Sequence, residues 1–246
     1  MLDKTKTDQI PILNFSKFLE GDEKAKVALA SDLRWIQEKI GFYYIINHGV
    51  SPNLIRRAIG QVRALHSLPM VEKIKLKVDK DTTGYIPIKS TKYVTTDVEK
   101  NDNYDLNENY RIVRERRSDH PSILAGRRFT GPNKWPNSMV LPEFKSVMID
   151  YYSAMEKLGR NMLSLYALAL NLEASYFDPF FTDPMWFTRN VHYPAITAGA
   201  NQFGISPHSD HGFITLLPVS KVPGLEVKTQ NGKWISGDYV EDAIIV

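Results

Sequence analysis

The chain has no cysteine in its 246 residues. That removes disulfides, thiolate nucleophiles, cysteine zinc sites and cysteine-held iron–sulfur clusters, so any metal must be bound by histidine and carboxylate. A charge bias is also missing. The 31 basic and 28 acidic residues leave a net charge of +3, too even to imply a nucleic-acid or membrane surface and only a slight argument for anionic small molecules. No apolar run approaches the length that spans a bilayer, and the charged opening MLDKTKTDQIPIL lacks the apolar stretch of a secretory signal, so the cytoplasm is the expected compartment. Internal repeats and low-complexity tracts are absent too. What is present is 43% apolar, 24% charged and 11% aromatic residues, the make-up of a folded globular protein with a large core.

Periodicity organises the chain. QIPILNF reads as a short edge strand, and residues 24–40 as a helix with Val27, Ala30, Leu33, Ile36 and Ile40 on one stripe, ended by Gly41. FYYIINHGV is a buried strand by its aromatic and β-branched density, and Ser51-Pro52 caps a helix with Leu54, Ala58, Val62 and Leu65 inward, closed by Pro69. From Asp79 to Asn137 the pattern dissolves into a long irregular segment, with GYIPI and NYRIV as short strands. A long helix starts near Leu141, and its end, LSLYALALNL, is apolar nearly all round and must be buried. Short strands then follow: WFTRNVHY, FITLLPV, LEVKT, KWIS and AIIV. An Asn231-Gly232 two-residue turn joins the LEVKT and KWIS pair. The expected fold is α+β and β-rich. It has residues 1–137 as an N-terminal helix and strand region with substrate-side loops, and residues 138–246 as a long buried supporting helix plus a jelly-roll core, one structural domain overall.

The densest chemistry lies in ISPHSDHGFITLL. Side chains two apart on a strand share a face, so if residues 206–210 are extended, His208 and Asp210 project together and Ser209 points away. One imidazole and one carboxylate supply two arms of the 2-His-1-carboxylate facial triad of non-haem Fe(II) oxygenases, which leaves positions open for substrate and O2. A surface pair or a core histidine is the alternative for His-x-Asp taken alone.

Six separated segments carry a resemblance over nearly the whole chain: IPILNF, GFYYIINHGV, LPMVEKIKL followed by GYIPI, GPNKWPN, HYP, and PHSDHGFITLL with GLEV and NGKWI. Together they resemble the isopenicillin-N-synthase-like branch of the Fe(II)/2-oxoglutarate-dependent oxygenases. The resemblance implies a double-stranded β-helix with N-terminal helices, His208 and Asp210 as iron ligands, 2-oxoglutarate as cosubstrate, and O2 as the oxidant. The reaction it implies couples decarboxylation of 2-oxoglutarate to oxidation of a small-molecule C–H bond, by hydroxylation, desaturation or cyclisation. Tyr193 in VHYP matches a tyrosine whose phenol approaches the cosubstrate or the substrate carboxylate, with a core aromatic as the other reading. Arg189, four residues earlier on the same strand face, would meet an acidic substrate or form a surface ion pair. His211 would border the substrate pocket, and Arg111 in NENYRI would lie near the substrate entrance. The other arginines of RIVRERR and GRRF (Arg114, Arg116, Arg117, Arg127, Arg128) steer an anion or coat a solvated face. His48 belongs to a structural turn beside Gly49. The substrate is a small molecule, polar or acidic, with no nucleic-acid or membrane partner; the oligomeric state is left open.

The second histidine of the triad falls, by the resemblance, beyond GKWI and the strand after it. AIIV is that strand, and neither the distal histidine nor the following Arg-x-Ser that grips 2-oxoglutarate has a counterpart. Strand alternation argues against an upstream histidine taking that place, since His192 alternates with Tyr193. The expectation is therefore a truncated portion of a longer oxygenase with an unpaired strand edge at Val246, weak iron binding and no turnover. Two rivals stand beside it. A zinc hydrolase of the metallo-β-lactamase type would overlay its His-x-His-x-Asp-His on Ser206, His208, Asp210 and His211, and a non-catalytic fragment would keep the scaffold without completing the site.

Overall fold

The computed structural model describes residues 2–92 and 103–246. Part of the long Asp79–Asn137 segment, residues 93–102, thus lies outside the described residues. The elements run β1 (Ile12–Asn14), α1 (Ser16–Leu19), α2 (Glu23–Lys39), β2 (Tyr44–Ile46), α3 (Pro52–His66), α4 (Met70–Lys75) and β3 (Gly84–Ile86). They continue as β4 (Glu108–Val113), α5 (Pro121–Leu124), α6 (Phe144–Ala169), β5 (Phe187–His192), β6 (Leu217–Pro218), β7 (Glu226–Lys228), β8 (Trp234–Ser236) and β9 (Ile244–Ile245). Two compact units interleave along the chain: Met1–Ile55 with Asp150–Asp183 and His211–Val246, and Arg56–Ile149 with Pro184–Asp210.

In the first unit the amphipathic α2 starts at Asp22, whose carboxylate accepts from the Lys24 and Ala25 amides, and Gly41 at φ 84 ends it. Leu29, Ala30, Leu33 and Ile36 are its inner face, whereas Val27 is exposed, so the stripe enters the core from Leu29 onward. These side chains meet Phe15, Tyr43, Ile45, Leu158, Met162 and Ile244 in one apolar cluster. Tyr43 is fully buried, and its hydroxyl shares a 3.0 Å hydrogen bond with that of Tyr166, so the polar handle of each ring is satisfied inside the core.

The four-stranded sheet of this unit has the order β1-β2-β9-β6. This corrects the expected unpaired edge at Val246. β9 is flanked on both sides, and Val246 and Tyr43 exchange both backbone hydrogen bonds, at 2.9 and 3.1 Å. The β7–β8 hairpin also differs from expectation. Lys228 pairs with Trp234, and the Thr229 amide reaches the Lys233 carbonyl at 2.9 Å, so the loop is the three residues 230–232, with Gly232 at φ 83. One extra residue and a left-handed glycine suit the twist of such a hairpin as well as a two-residue turn does.

The β-rich expectation is corrected as well. Among the described residues the longest helix has 26 residues and no strand exceeds six. The stretch around the His-x-Asp motif, read as strand, is irregular from Tyr193 to Leu216, where Pro194, Gly199, Gly204, Pro207 and Gly212 interrupt any ladder. Among the described residues no helix is long and apolar enough to cross a membrane.

The second unit holds the antiparallel sheet β3-β4-β5. Side chains alternate across it. Glu108 and Tyr110 of β4 face the same way as their register partners His192, Asn190 and Tyr85, whereas Arg111 pairs with Arg189 on the opposite face. The last turn of α3 and the short α4 close over the Glu108 face: the His66 ring bonds the Asn190 carbonyl, and the Lys73 ammonium reaches both Glu108 and the His66 carbonyl.

Candidate metal centre

Three consecutive residues just before β4 hold the segment that leads to the His-x-Asp motif. The Leu106 amide donates to the Phe203 carbonyl at 2.9 Å, and the Asn107 carboxamide donates to the Gly204 carbonyl at 2.7 Å. One oxygen of the Asp105 carboxylate accepts from both the Ser206 amide, at 2.9 Å, and the Ser206 hydroxyl, at 2.6 Å. Asp105 and Ser206 are buried. The Ser206 carbonyl in turn takes a hydrogen bond of 2.7 Å from the His208 ring. A carbonyl can only accept, so Nδ1 of His208 carries a proton, and in the neutral ring Nε2 is the acceptor nitrogen.

Nε2 faces Asp210. Nε2 of His208 lies 3.3 Å from Oδ1 of Asp210, and the pair is half open to solvent. The hydrogen bond to Asp210 raises the His208 pKa above the usual 6.5, aided by the Ser206 carbonyl and opposed by burial and by the positive charge of Arg189. Two ligands on adjacent corners of a metal shell with bonds of about 2.1 Å lie about 3.0 Å apart in an octahedron and about 3.4 Å apart in a tetrahedron. The 3.3 Å separation needs little adjustment, and an imidazole whose Nδ1–H is fixed by a carbonyl with Nε2 turned to the carboxylate has the usual orientation of a metal-bound ring. Among the described residues no third His, Asp or Glu joins this pair at metal-shell spacing.

Ser206 entered the sequence reading only through the zinc-hydrolase overlay, and Asp105 and Asn107 went unread. Their only signal is that polar residues of DLNEN stand where a buried strand begins. Replacing Asp105 by alanine strands the buried Ser206 amide and hydroxyl, and should weaken Mn(II) affinity about 10–100-fold, the usual effect of losing an outer-shell partner. Asp105→Asn keeps an acceptor and should retain most of the affinity; calorimetric titration of both variants checks the ordering.

The remaining sequence-derived residues fall into place unevenly. Tyr193 lies one residue past β5, half exposed, with its ring against Gly204, where a Cβ would come within 2.8 Å of it. Arg189 sits on the sheet face opposite Glu108, near enough to His208 for its charge to oppose protonation there. Its register partner Arg111 donates to the Thr82 carbonyl at 3.2 Å and lies over the stacked rings of Phe129 and Phe187. His211 is exposed. Of the other arginines, Arg116 bonds the Pro184 carbonyl and Arg117 pairs with Asp119, while Arg127 and Arg128 line a cavity of about 210 Å³ with Lys80 and Phe129. His48 is structural, as read: Nδ1 accepts from the Val50 amide, and Nε2 donates to the Asp242 carbonyl.

Residues 10–138 match the family described as non-haem dioxygenase in morphine synthesis N-terminal, and residues 186–246 match the 2OG-Fe(II) oxygenase superfamily. A 2-oxoglutarate-Fe(II) type oxidoreductase of Emericella nidulans is 32% identical over 245 residues, covering 96% of this chain and 68% of that protein. The solved structure of full-length Neurospora crassa T7H in complex with alpha-KG aligns with TM-score 0.79 at 28% identity, over 96% of this chain and 71% of that one; the same protein is also solved with thymine. JOX2 in complex with 2OG, Fe and JA aligns with TM-score 0.74 at 26% identity, over 96% of this chain and 63% of that one. The chain belongs to the 2OG-Fe(II) oxygenase superfamily. It is a 2-oxoglutarate/Fe(II)-dependent dioxygenase, and the cofactors of this class are Fe(II), 2-oxoglutarate as cosubstrate, and O2. The metallo-β-lactamase reading is not favoured: no helix follows Asp210, and the Ser206 hydroxyl turns into buried Asp105.

Proposed function

We propose that the protein oxidises a C–H bond of a small polar or acidic molecule, with His208 and Asp210 as iron ligands on a double-stranded β-helix core, in the cytoplasm. The convergence of His208 Nε2 and Asp210 Oδ1, with Nδ1 tied to the Ser206 carbonyl, is the observation that carries this reading. An N,O donor pair with an open side suits Fe(II), which when bound supplies O2 activation coupled to the loss of CO2 from 2-oxoglutarate. The chain's own groups position the reactants. Asp105 and Ser206 fix the imidazole; on this reading the half-exposed Tyr193 phenol serves the cosubstrate or substrate, and Arg189, Arg111 and His211 serve the substrate. The cross-strand pairing of Arg111 with Arg189 on one face favours an anionic group on the substrate.

Calorimetric titration with Mn(II) and 2-oxoglutarate tests the reading. Each should tighten the binding of the other, because the cosubstrate chelates the ion that His208 and Asp210 hold. Independent binding of the two, or zinc-dependent ester hydrolysis indifferent to 2-oxoglutarate, would overturn it.

A further inference from the structure

The opposite face of the β3-β4-β5 sheet carries a second constellation, made of His66 at the end of α3, Glu108 at the start of β4 and His192 at the end of β5. One ligand atom from each lies within 4.8 Å of the other two, the one such grouping of three among the described residues. The two imidazoles approach the same carboxylate oxygen. Nδ1 of His192 is 2.8 Å from Oε1 of Glu108, and Nδ1 of His66 is 3.4 Å from it.

Hydrogen bonding decides what these atoms can offer. Nε2 of His66 donates to the Asn190 carbonyl at 2.9 Å, so in the neutral ring Nδ1 is a bare lone pair. It is buried, receives no hydrogen bond, and points at an oxygen that is itself an acceptor. Two acceptors facing each other in a buried place call for a cation between them. The surroundings match the outer shell of a metal site: the His66 ring is fixed by a backbone carbonyl, and the second oxygen of Glu108 is held by the Lys73 ammonium at 2.8 Å and by the Tyr85 hydroxyl. The separations of 2.8 and 3.4 Å bracket the about 3.0–3.4 Å edges of a shell with bonds near 2.1 Å. The half-exposed His192 ring opens one side to water.

We propose that Nδ1 of His66, Oε1 of Glu108 and Nδ1 of His192 form a second cation site, taking a divalent transition-metal ion of the zinc class, with water in the fourth position. Two nitrogens and one oxygen suit such a borderline ion better than Ca(II) or Mg(II), which take oxygen ligands. Binding moves the His192 proton from Nδ1 to Nε2, which water can reach, so a neutral ring releases no proton. Lys73 lowers the affinity without blocking the site, since it holds the other oxygen. The ion ties helix α3 to strands β4 and β5.

The test uses the chain carrying His208→Ala and Asp210→Ala together, so that the proposed iron ligands cannot contribute. Titration with Co(II), read by visible absorption, and with Zn(II), read by calorimetry, should give one ion per chain. His192→Asn should weaken binding by more than the ~10–100-fold of an outer-shell loss. His66→Gln should do the same, and if that variant does not fold, His192→Asn at its half-exposed position still decides. Lys73→Met should tighten binding, an effect that no purely structural role of the cluster predicts. Failure of the parent variant to take up either metal, or equal affinity after His192→Asn, overturns the site. So does a protonated His66 at neutral pH with no metal uptake, which would make it a hydrogen-bond donor to Glu108.

Discussion

Asp210→Ala should lower Mn(II) affinity by more than the ~10–100-fold expected for Asp105→Ala and should abolish the linkage between metal and 2-oxoglutarate. The ordering follows from what each change removes. Asp105 reaches the His208 ring only through the Ser206 amide and hydroxyl and then the Ser206 carbonyl, so its loss loosens that ring without deleting a donor. Asp210 supplies both the anionic oxygen 3.3 Å from His208 and the largest influence that raises the His208 pKa. His211→Ala is the control. His211 is exposed and reads as substrate-facing, so its removal should leave metal affinity unchanged. A large fall in that variant would move the ligand from Asp210's side of the motif to His211. Acid adds a second check. Because the His208 pKa lies above 6.5, its proton competes with the ion in near-neutral solution, so metal affinity should rise with pH there. In Asp210→Ala that competition loses its principal cause, and whatever affinity remains should rise less steeply with pH.

Legibility in the sequence divides by range. The periodic elements α2, α3 and α6 and the dense strand β2 were readable because their signal is local: an apolar stripe, a cap, a glycine stop. His208 and Asp210 were readable for the same reason, being two residues apart and meeting in space. Prediction faltered where pairing decides. FITLLPV has the composition of a strand, yet only Leu217–Pro218 forms one, because a strand needs a neighbour in register and residues 213–216 have none among the described residues. Ile244–Ile245 reads as a terminal edge, yet β2 and β6 enclose it from distant parts of the chain. The second histidine cluster was hidden most completely. His66 ends a helix, Glu108 begins a strand 42 residues later and His192 ends another 84 residues beyond that, and only the sheet register brings them together. Register with β4 turns His192 toward Glu108, whereas Tyr193 lies past the end of β5.

Lys73→Met should cost about 3–5 kcal/mol, because it leaves the buried Glu108 carboxylate without its cation. At roughly 2–4 °C per kcal/mol for a chain of this size, the melting temperature should fall by about 6–20 °C. The measurement belongs in chelator, so that no metal substitutes for the ammonium. pH dependence then separates this ion pair from a general packing defect. Burial alone would raise the Glu108 pKa, but hydrogen bonds from Lys73, Tyr85 and His192 outweigh it and hold the value at about 2 against the usual 4.5. A depressed carboxylate stabilises the fold above its unfolded pKa, and that contribution, about 3 kcal/mol here, disappears as pH falls from 4.5 toward 2. Removing Lys73 takes away the strongest of the opposing hydrogen bonds, so burial regains weight and the folded pKa climbs. The variant should therefore show a flatter loss of stability across that acid range than the parent. If its folded pKa rises past the unfolded value the sign reverses, and the variant gains stability on acidification as Glu108 takes up a proton. Equal acid sensitivity in both proteins would mean that Lys73 contributes packing through its stem rather than charge to Glu108.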